Sequence, residues 1–155
     1  MFELFKKKDM NIYSPVNGKM VALSDVPDKM FAEKILGDGA AFYSDEDIIY
    51  SPCAGKISVI ADTGHAVGIN ADNGAEILIH IGLDTVNLNG KGFEVLTSKD
   101  AKIKEGTPLI KVDRKFMAEN NINLIIPMII TNGVSFDLQS VDQVESSSIV
   151  MTIAG

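Results

Sequence analysis

The stretch His65-Ala66-Val67-Gly68-Ile69-Asn70-Ala71-Asp72-Asn73-Gly74-Ala75-Glu76-Ile77-Leu78-Ile79-His80 decides how this chain is read. Asn73-Gly74 is a favoured two-residue hairpin turn, because both central positions need a positive φ. Pairing outward from it sets Ile69 opposite Leu78, Val67 opposite His80 and His65 opposite Gly82. Directly opposed residues share a sheet face, so the two imidazoles become diagonal neighbours with Cβ atoms roughly 7–8 Å apart. A turn moved to Asp72-Asn73 sets His65 directly opposite His80. Any even-length loop keeps both rings on one face, whereas an odd loop separates them. The expectation is a juxtaposed pair made from the only two histidines in the chain.

Such a pair suits phosphoryl chemistry. Neutral imidazole is a good nucleophile near pH 7, since its ordinary pKa is about 6.5. One ring can attack phosphorus while the other donates a hydrogen bond to the phosphoryl oxygens, where negative charge gathers. Thr63 lies two residues before His65, and its hydroxyl can orient that ring through the other nitrogen. Gly82 lies two residues after His80, where its backbone carbonyl can fix the nucleophile's tautomer. Spacing alone also admits an incidental surface pair, or core histidines satisfied by hydrogen bonds. His80-Ile81-Gly82-Leu83-Asp84 resembles the H-x-x-x-D element of zinc endopeptidases built on a related duplicated β-fold. Their H-x-H element cannot be made from two histidines, and catalytic zinc usually takes three protein ligands, which weighs against a metallopeptidase. A zinc ion at His65 and His80, completed by a partner's carboxylate, stays open. The relay chemistry itself requires no cofactor and no metal.

Outward from this hairpin, short alternating runs fall between Gly, Asn and Asp clusters. They include Lys19-Met20-Val21-Ala22-Leu23, Lys56-Ile57-Ser58-Val59-Ile60, Glu76-Ile77-Leu78-Ile79-His80-Ile81 and Pro108-Leu109-Ile110-Lys111-Val112. Many short strands with regular turn signals predict an all-β, antiparallel sandwich. Two short helical turns are expected. One runs near Pro27 to Leu36 with Asp25 as its cap, and the other follows Asp113 through Asn120. Ser14-Pro15-Val16-Asn17-Gly18-Lys19 and Ser51-Pro52-Cys53-Ala54-Gly55-Lys56 share the pattern S-P-x-x-G-K. That is either common turn punctuation or a duplicated turn-plus-strand unit, as in barrel-sandwich folds.

The chain has 155 residues and a net charge of −7, which argues for one domain and against nucleic acid as a partner. Cys53 is the single cysteine, so no internal disulfide exists. It reads as a buried small hydrophobe or an inert surface thiol. The longest apolar run, Leu124 to Ile130, is too short to span a bilayer and is broken by Pro127. The first residues show no secretory signal, and a cytoplasmic location follows. Residues 1–12 are expected to form a flexible arm and residues 13–155 the folded domain. Within the arm, Phe2, Leu4 and Phe5 precede Lys6-Lys7-Lys8, a composition suited to weak contact of residues 1–8 with an anionic membrane surface. The initial Met and the lack of a linker favour a free-standing protein.

Three segments carry a family resemblance. They are Ser14-Pro15-x-x-Gly18, Phe31-Ala32-Glu33-Lys34-Ile35-Leu36-Gly37-Asp38-Gly39, and Ile79-His80-Ile81-Gly82-Leu83-Asp84-Thr85-Val86-Asn87-Leu88, the last followed by Gly90-Lys91-Gly92-Phe93. From about Tyr13 to about Thr131 the chain resembles the glucose-type enzyme IIA of the bacterial phosphoenolpyruvate-dependent sugar phosphotransferase system. The resemblance implies a β-sandwich phosphocarrier that takes a phosphoryl group from phospho-HPr and passes it to a cysteine of a sugar permease IIB domain. It implies that His80 is the phosphorylated residue, that His65 stabilises the phosphoryl group, and that Thr63 orients His65. Asp84 and Asp28 match acidic residues beside the site. The family's apolar docking patch maps onto Met30, Phe31, Leu36, Leu78 and Val86. Without the resemblance, the helical spacing of Met30, Phe31 and Leu36 reads as core. A rival class is a regulatory binder that uses the same surface to inhibit permeases or kinases according to its phosphorylation state. The two roles can coexist.

Overall fold

The structure, a computed structural model, describes residues 9–154. Its strands are β1 (Met10–Tyr13), β2 (Gly18–Ala22), β3 (Asp38–Ser44), β4 (Ile48–Tyr50), β5 (Gly55–Ile60), β6 (Ala66–Ala71), β7 (Glu76–His80), β8 (Phe93–Val95), β9 (Lys102–Ile103), β10 (Pro108–Val112), β11 (Ile126–Ile130), β12 (Asp137–Leu138), β13 (Gln143–Val144) and β14 (Ile149–Ile153). The four alternating runs of the sequence lie on β2, β5, β7 and β10. One large sheet has the order β13-β2-β3-β11-β7-β6-β5-β9, and two three-stranded sheets have the orders β1-β14-β12 and β4-β10-β8. The pairings are antiparallel. The sheets do not close into a barrel. Between them lies a core that includes Ile12, Phe42, Ile57, Ile69, Ile77, Ile79, Leu109, Met128 and Met151.

The S-P-x-x-G-K repeat is one trace of a duplication that runs through these sheets. Tyr13 N donates to Pro52 O at 2.8 Å, and Tyr50 N donates to Pro15 O at 2.8 Å, a reciprocal exchange between equivalent residues. Ser14 N donates to Ser148 O and Ser51 N to Thr107 O; Met20 N donates to Asp142 O and Ile57 N to Ala101 O. Gly18 pairs with Ser44 and Val144, and Gly55 with Ala71 and Ile103. A Cβ on either glycine would lie within 2.4 Å of a backbone oxygen, Tyr43 O or Asn70 O. Only glycine lets the neighbouring strands approach this closely. The large sheet therefore reads as two halves, β13-β2-β3-β11 and β9-β5-β6-β7, related by a pseudo-twofold that passes between Met128 and Ile79, partners across β11 and β7. The β4–β10 copy is inserted whole between β3 and β11 of the other.

The halves differ in their crossovers. Residues 61–65 join β5 to β6, whereas residues 23–37 join β2 to β3. The longer crossover holds a 3-10 turn (Leu23–Asp25) and the helix α1 (Lys29–Ala32). It packs Leu23, Val26 and Phe31 over Ala41, Ile125 and Ile129 as a second apolar cluster. Asp28, not Asp25, caps α1, its Oδ1 accepting from Met30 N at 2.9 Å. Asp25 is taken up in the preceding 3-10 turn. The helix is also shorter than expected, because Lys34 adopts φ 58° and ends it in left-handed backbone. The second helix, α2 (Arg114–Glu119), begins where expected, with Asp113 Oδ1 accepting from Phe116 N at 3.0 Å.

The expected boundary at Tyr13 falls inside a strand. Residues 10–12 belong to β1, where Met10 pairs with Ile153 and Ile12 is fully buried. Residues 1–8, on which the membrane-contact expectation falls, lie outside the described residues. No helix among the described residues is long and apolar enough to cross a membrane. Cys53 is buried, and burial pushes its thiol up to about 12, with smaller contributions from Asp72 and Glu105. At neutral pH it is a protonated, unreactive core residue.

Candidate active site

The β6–β7 hairpin closes differently from the two-residue expectation. Asn70 pairs with Glu76 and Ala66 with His80, and Ala71 N donates to Ala75 O at 2.8 Å. The loop is therefore the three residues Asp72-Asn73-Gly74, with Gly74 at φ 97°. By strand alternation an odd loop puts His65 and His80 on opposite faces, yet their ring centroids are 5.2 Å apart at an interplanar angle of 75°. Alternation does not reach His65, because β6 starts one residue later. Gly64 at φ 73° turns the chain just before it. Ile81 N donates to His65 O at 2.7 Å, which anchors the backbone of one histidine to the residue following the other.

His80 ends its strand for a reason visible in β11. The β7–β11 ladder includes Met128 paired with Ile79 and stops there. The next residue of β11 is Pro127, which has no N–H to offer. Beyond His80 the chain turns at Gly82, φ 78°, with Gly82 N donating to Ile125 O at 3.0 Å. This turn brings the Gly82 carbonyl oxygen within 2.8 Å of His80 Nδ1. A carbonyl only accepts, so Nδ1 carries the proton and Nε2 keeps its lone pair. On the other ring, Thr63 Oγ1 is hydrogen-bonded to His65 Nδ1, which leaves His65 Nε2 unengaged. Phe31 forms a wall, its ring centroid 5.1 Å from that of His80.

Electrostatics keep this pair neutral. Burial lowers the pKa of His80, and the neighbouring His65 lowers it further. The Gly82 carbonyl, Asp28 and Asp84 act in the opposite direction. Burial also lowers the pKa of His65. Asp84 stands at φ 57° on the turn after Gly82, and Asp28 at the start of α1, so the two carboxylates reach the site from different elements.

A family model described as phosphoenolpyruvate-dependent sugar phosphotransferase system, EIIA 1, matches residues 10–136. The chain belongs to this family. It is 42% identical over 153 residues to a PTS system glucose-specific EIIA component of Staphylococcus epidermidis, covering 95% of this chain and 92% of the relative. The Staphylococcus aureus protein of the same name is 44% identical over 126 residues, covering 81% and 76%. The solved structure of glucose permease IIA from Mycoplasma capricolum superposes with a TM-score of 0.88 at 34% identity, covering 94% of this chain and 96% of that one. This IIA chain thus serves sugar transport by the phosphotransferase system.

Around the histidines of this IIA chain, Met30, Leu36 and Val86 are exposed and Leu78 is half-buried. Phe31 departs from the expected patch. At 4% exposure it is part of the small cluster under α1, and its ring stands against His80 rather than in the exposed patch. No group of three His, Cys, Asp or Glu side chains able to hold a metal occurs among the described residues, so zinc at His65 and His80 would need donors from beyond the described residues. One contributor has no role in the sequence analysis: Thr85, fully buried, whose Oγ1 donates to Ile81 O at 2.6 Å.

Proposed function

We propose that this IIA chain is a phosphocarrier acting at His80 between phospho-HPr and the IIB domain of a sugar permease. The observation that carries the reading is the Gly82 carbonyl against His80 Nδ1, because it leaves Nε2 as the free nucleophile. Nε2 attacks the phosphorus of the donor's phosphohistidine. The new P–N bond forms as the donor P–N bond breaks, and the donor ring leaves as neutral imidazole. The phosphorylated His80 ring then carries positive charge, which the Gly82 carbonyl stabilises through Nδ1–H. With the Thr63 hydroxyl donating to His65 Nδ1, His65 Nε2–H donates to the phosphoryl oxygens as charge shifts onto them. A cysteine thiolate of the IIB domain next attacks phosphorus, and His80 returns to its starting tautomer with no net proton gained or lost.

Both histidines are part-exposed, as a carrier visited by two proteins in turn requires. Met30, Leu36, Leu78 and Val86 supply an apolar border that excludes water, and Asp28 and Asp84 meet cationic side chains on the donor. HPr and IIB work at the cytoplasmic side of the membrane, and glucose is the proposed sugar, after the names of the curated relatives. The test is incubation with phosphoenolpyruvate, enzyme I and HPr, followed by mapping of the acid-labile phosphate. His80→Ala is expected to abolish labelling and to retain HPr binding. A labile phosphate on any other residue refutes the assignment.

A further inference from the structure

Three polar or charged residues among the described ones are fully buried: Ser14, Ser51 and Thr85. The two serines belong to the duplicated turns, where Ser14 Oγ donates to Val16 O at 2.7 Å and Ser51 Oγ to Cys53 O at 2.8 Å. Thr85 has no such counterpart. Its hydroxyl donates to the carbonyl of Ile81 at 2.6 Å, four residues back across the turn that follows His80.

That bond acts on one peptide plane. The peptide joining Ile81 to Gly82 has its C=O held by Thr85 and its N–H held by Ile125 O at 3.0 Å. With both ends fastened, the plane cannot flip. The next carbonyl in the chain, that of Gly82, is the one that accepts from His80 Nδ1. The Thr85 methyl adds a steric hold, since Cγ2 lies 2.7 Å from where a Cβ on Gly82 would stand. Gly82 at φ 78° is otherwise free to rotate through backbone states closed to other residues.

We propose that Thr85 is a positioning residue: by bonding Ile81 O and packing on Gly82, it aims the Gly82 carbonyl at His80 and holds the ring proton on Nδ1. Thr85 touches neither the phosphoryl group nor the reacting nitrogen. It acts on the reaction by setting the fraction of His80 rings whose Nε2 carries a lone pair. The consequence for phosphoryl transfer rests on the phosphocarrier reading. The consequence for the tautomer does not.

The experiment compares wild type, Thr85→Val and Thr85→Ser by 15N NMR of labelled histidine, without HPr, and by the rate of labelling from phospho-HPr. Wild-type His80 is expected to be mainly Nδ1-protonated. Losing one buried hydrogen bond in the near-isosteric Thr85→Val is expected to shift the tautomer ratio toward Nε2–H by about fivefold to tenfold. Labelling should slow in proportion to the lost Nδ1–H fraction. Thr85→Ser, which keeps the hydroxyl, should restore both readouts. If Thr85→Val does not fold, Thr85→Ala is read in the same way. A wild-type tautomer ratio in the folded Val or Ala variant overturns the proposal, whatever the labelling rate. A shifted tautomer in a protein that is never labelled at His80 upholds the positioning role and refutes the phosphocarrier reading instead.

Discussion

Replacing Phe31 by alanine tests the coupling of stability and reactivity at this site. Phe31 is 4% exposed and packs with Leu23, Val26, Ala41, Ile125 and Ile129. Removing a buried phenyl ring costs about 3–5 kcal/mol. Its cluster is closed by a single crossover that can settle inward, so the expected loss is about 3 kcal/mol, the lower end of that range. The ring also stands 5.1 Å from His80 and keeps water off it. Burial is the largest cause of the lowered His80 pKa, ahead of His65. With the ring gone, the Gly82 carbonyl, Asp28 and Asp84 still favour the charged imidazole, so the titration midpoint must rise. The sign for stability follows. A histidine lowered in the folded state is protonated first in the unfolded chain, so wild type loses stability as pH falls from about 6.5 toward the folded midpoint. Phe31→Ala should flatten that fall while lowering the plateau above it. The acidic limb of the labelling profile should move to higher pH, since fewer rings are neutral there. NMR titration of both imidazoles and urea unfolding across pH 5 to 8 read these effects together. A folded Phe31→Ala protein whose His80 midpoint is unchanged or lower would refute the argument that this ring desolvates the nucleophile.

Gly82→Ala combines a left-handed φ of 78° with a Cβ 2.7 Å from Thr85 Cγ2; it should cost about 2–4 kcal/mol in urea unfolding and weaken the His80 Nδ1 hydrogen bond, visible as an altered ring-nitrogen shift. Asp28→Asn with Asp84→Asn should slow labelling by phospho-HPr at low ionic strength, the deficit shrinking as salt screens the wild-type attraction. Asparagine still caps α1, so unfolding should barely change, and an equal low-salt rate would contradict steering by these carboxylates. Asp113→Ala removes the α2 cap bond to Phe116 N and should cost about 1 kcal/mol with labelling unaltered.

What the sequence discloses of this fold is what period-two patterning can carry. β2, β5, β7 and β10 are evident because their apolar residues alternate between turn residues. Spacing alone left the histidines between a phosphoryl site and an incidental pair, and only the resemblance singled out His80 and His65, while the residue types beside them, Thr63 and Gly82, were evident. The hairpin register was not. Asn73-Gly74 carries a strong two-residue signal, and nothing local announces that Asp72 joins the loop. The rings meet because Gly64 and the Ile81–His65 bond re-aim the residue before β6, a tertiary effect outside strand periodicity. The duplication is visible only at S-P-x-x-G-K and the Ile-Tyr before it, Ile12-Tyr13 and Ile49-Tyr50, a stretch whose glycine is needed for close strand approach. Elsewhere equivalent positions share geometry and not chemistry, so a comparison of residues passes over them.

One such pair explains where the site lies. Ile57 faces Ile69 as Met20 faces Phe42, so Ala66 and Gly39 are equivalent, and so are their partners His80 and Ile129. Both point to the same outer face of the large sheet. Over Ile129 lies the long crossover of residues 23–37, and that half is sealed as core. Over His80 the matching crossover is only residues 61–65, too short to fold back across the sheet. An imidazole at position 129 would be buried without a partner, at a cost comparable to other unsatisfied buried polar groups, while an isoleucine at position 80 would leave apolar surface bare. The difference in crossover length thus assigns stability to one half and chemistry to the other. Phe31 sits where the two meet, on the cover of the sealed half and against the nucleophile of the open one. Changes in the 23–37 crossover are therefore expected to alter unfolding free energy and His80 titration together, whereas changes in the 61–65 crossover reach the site through Thr63 and His65 alone.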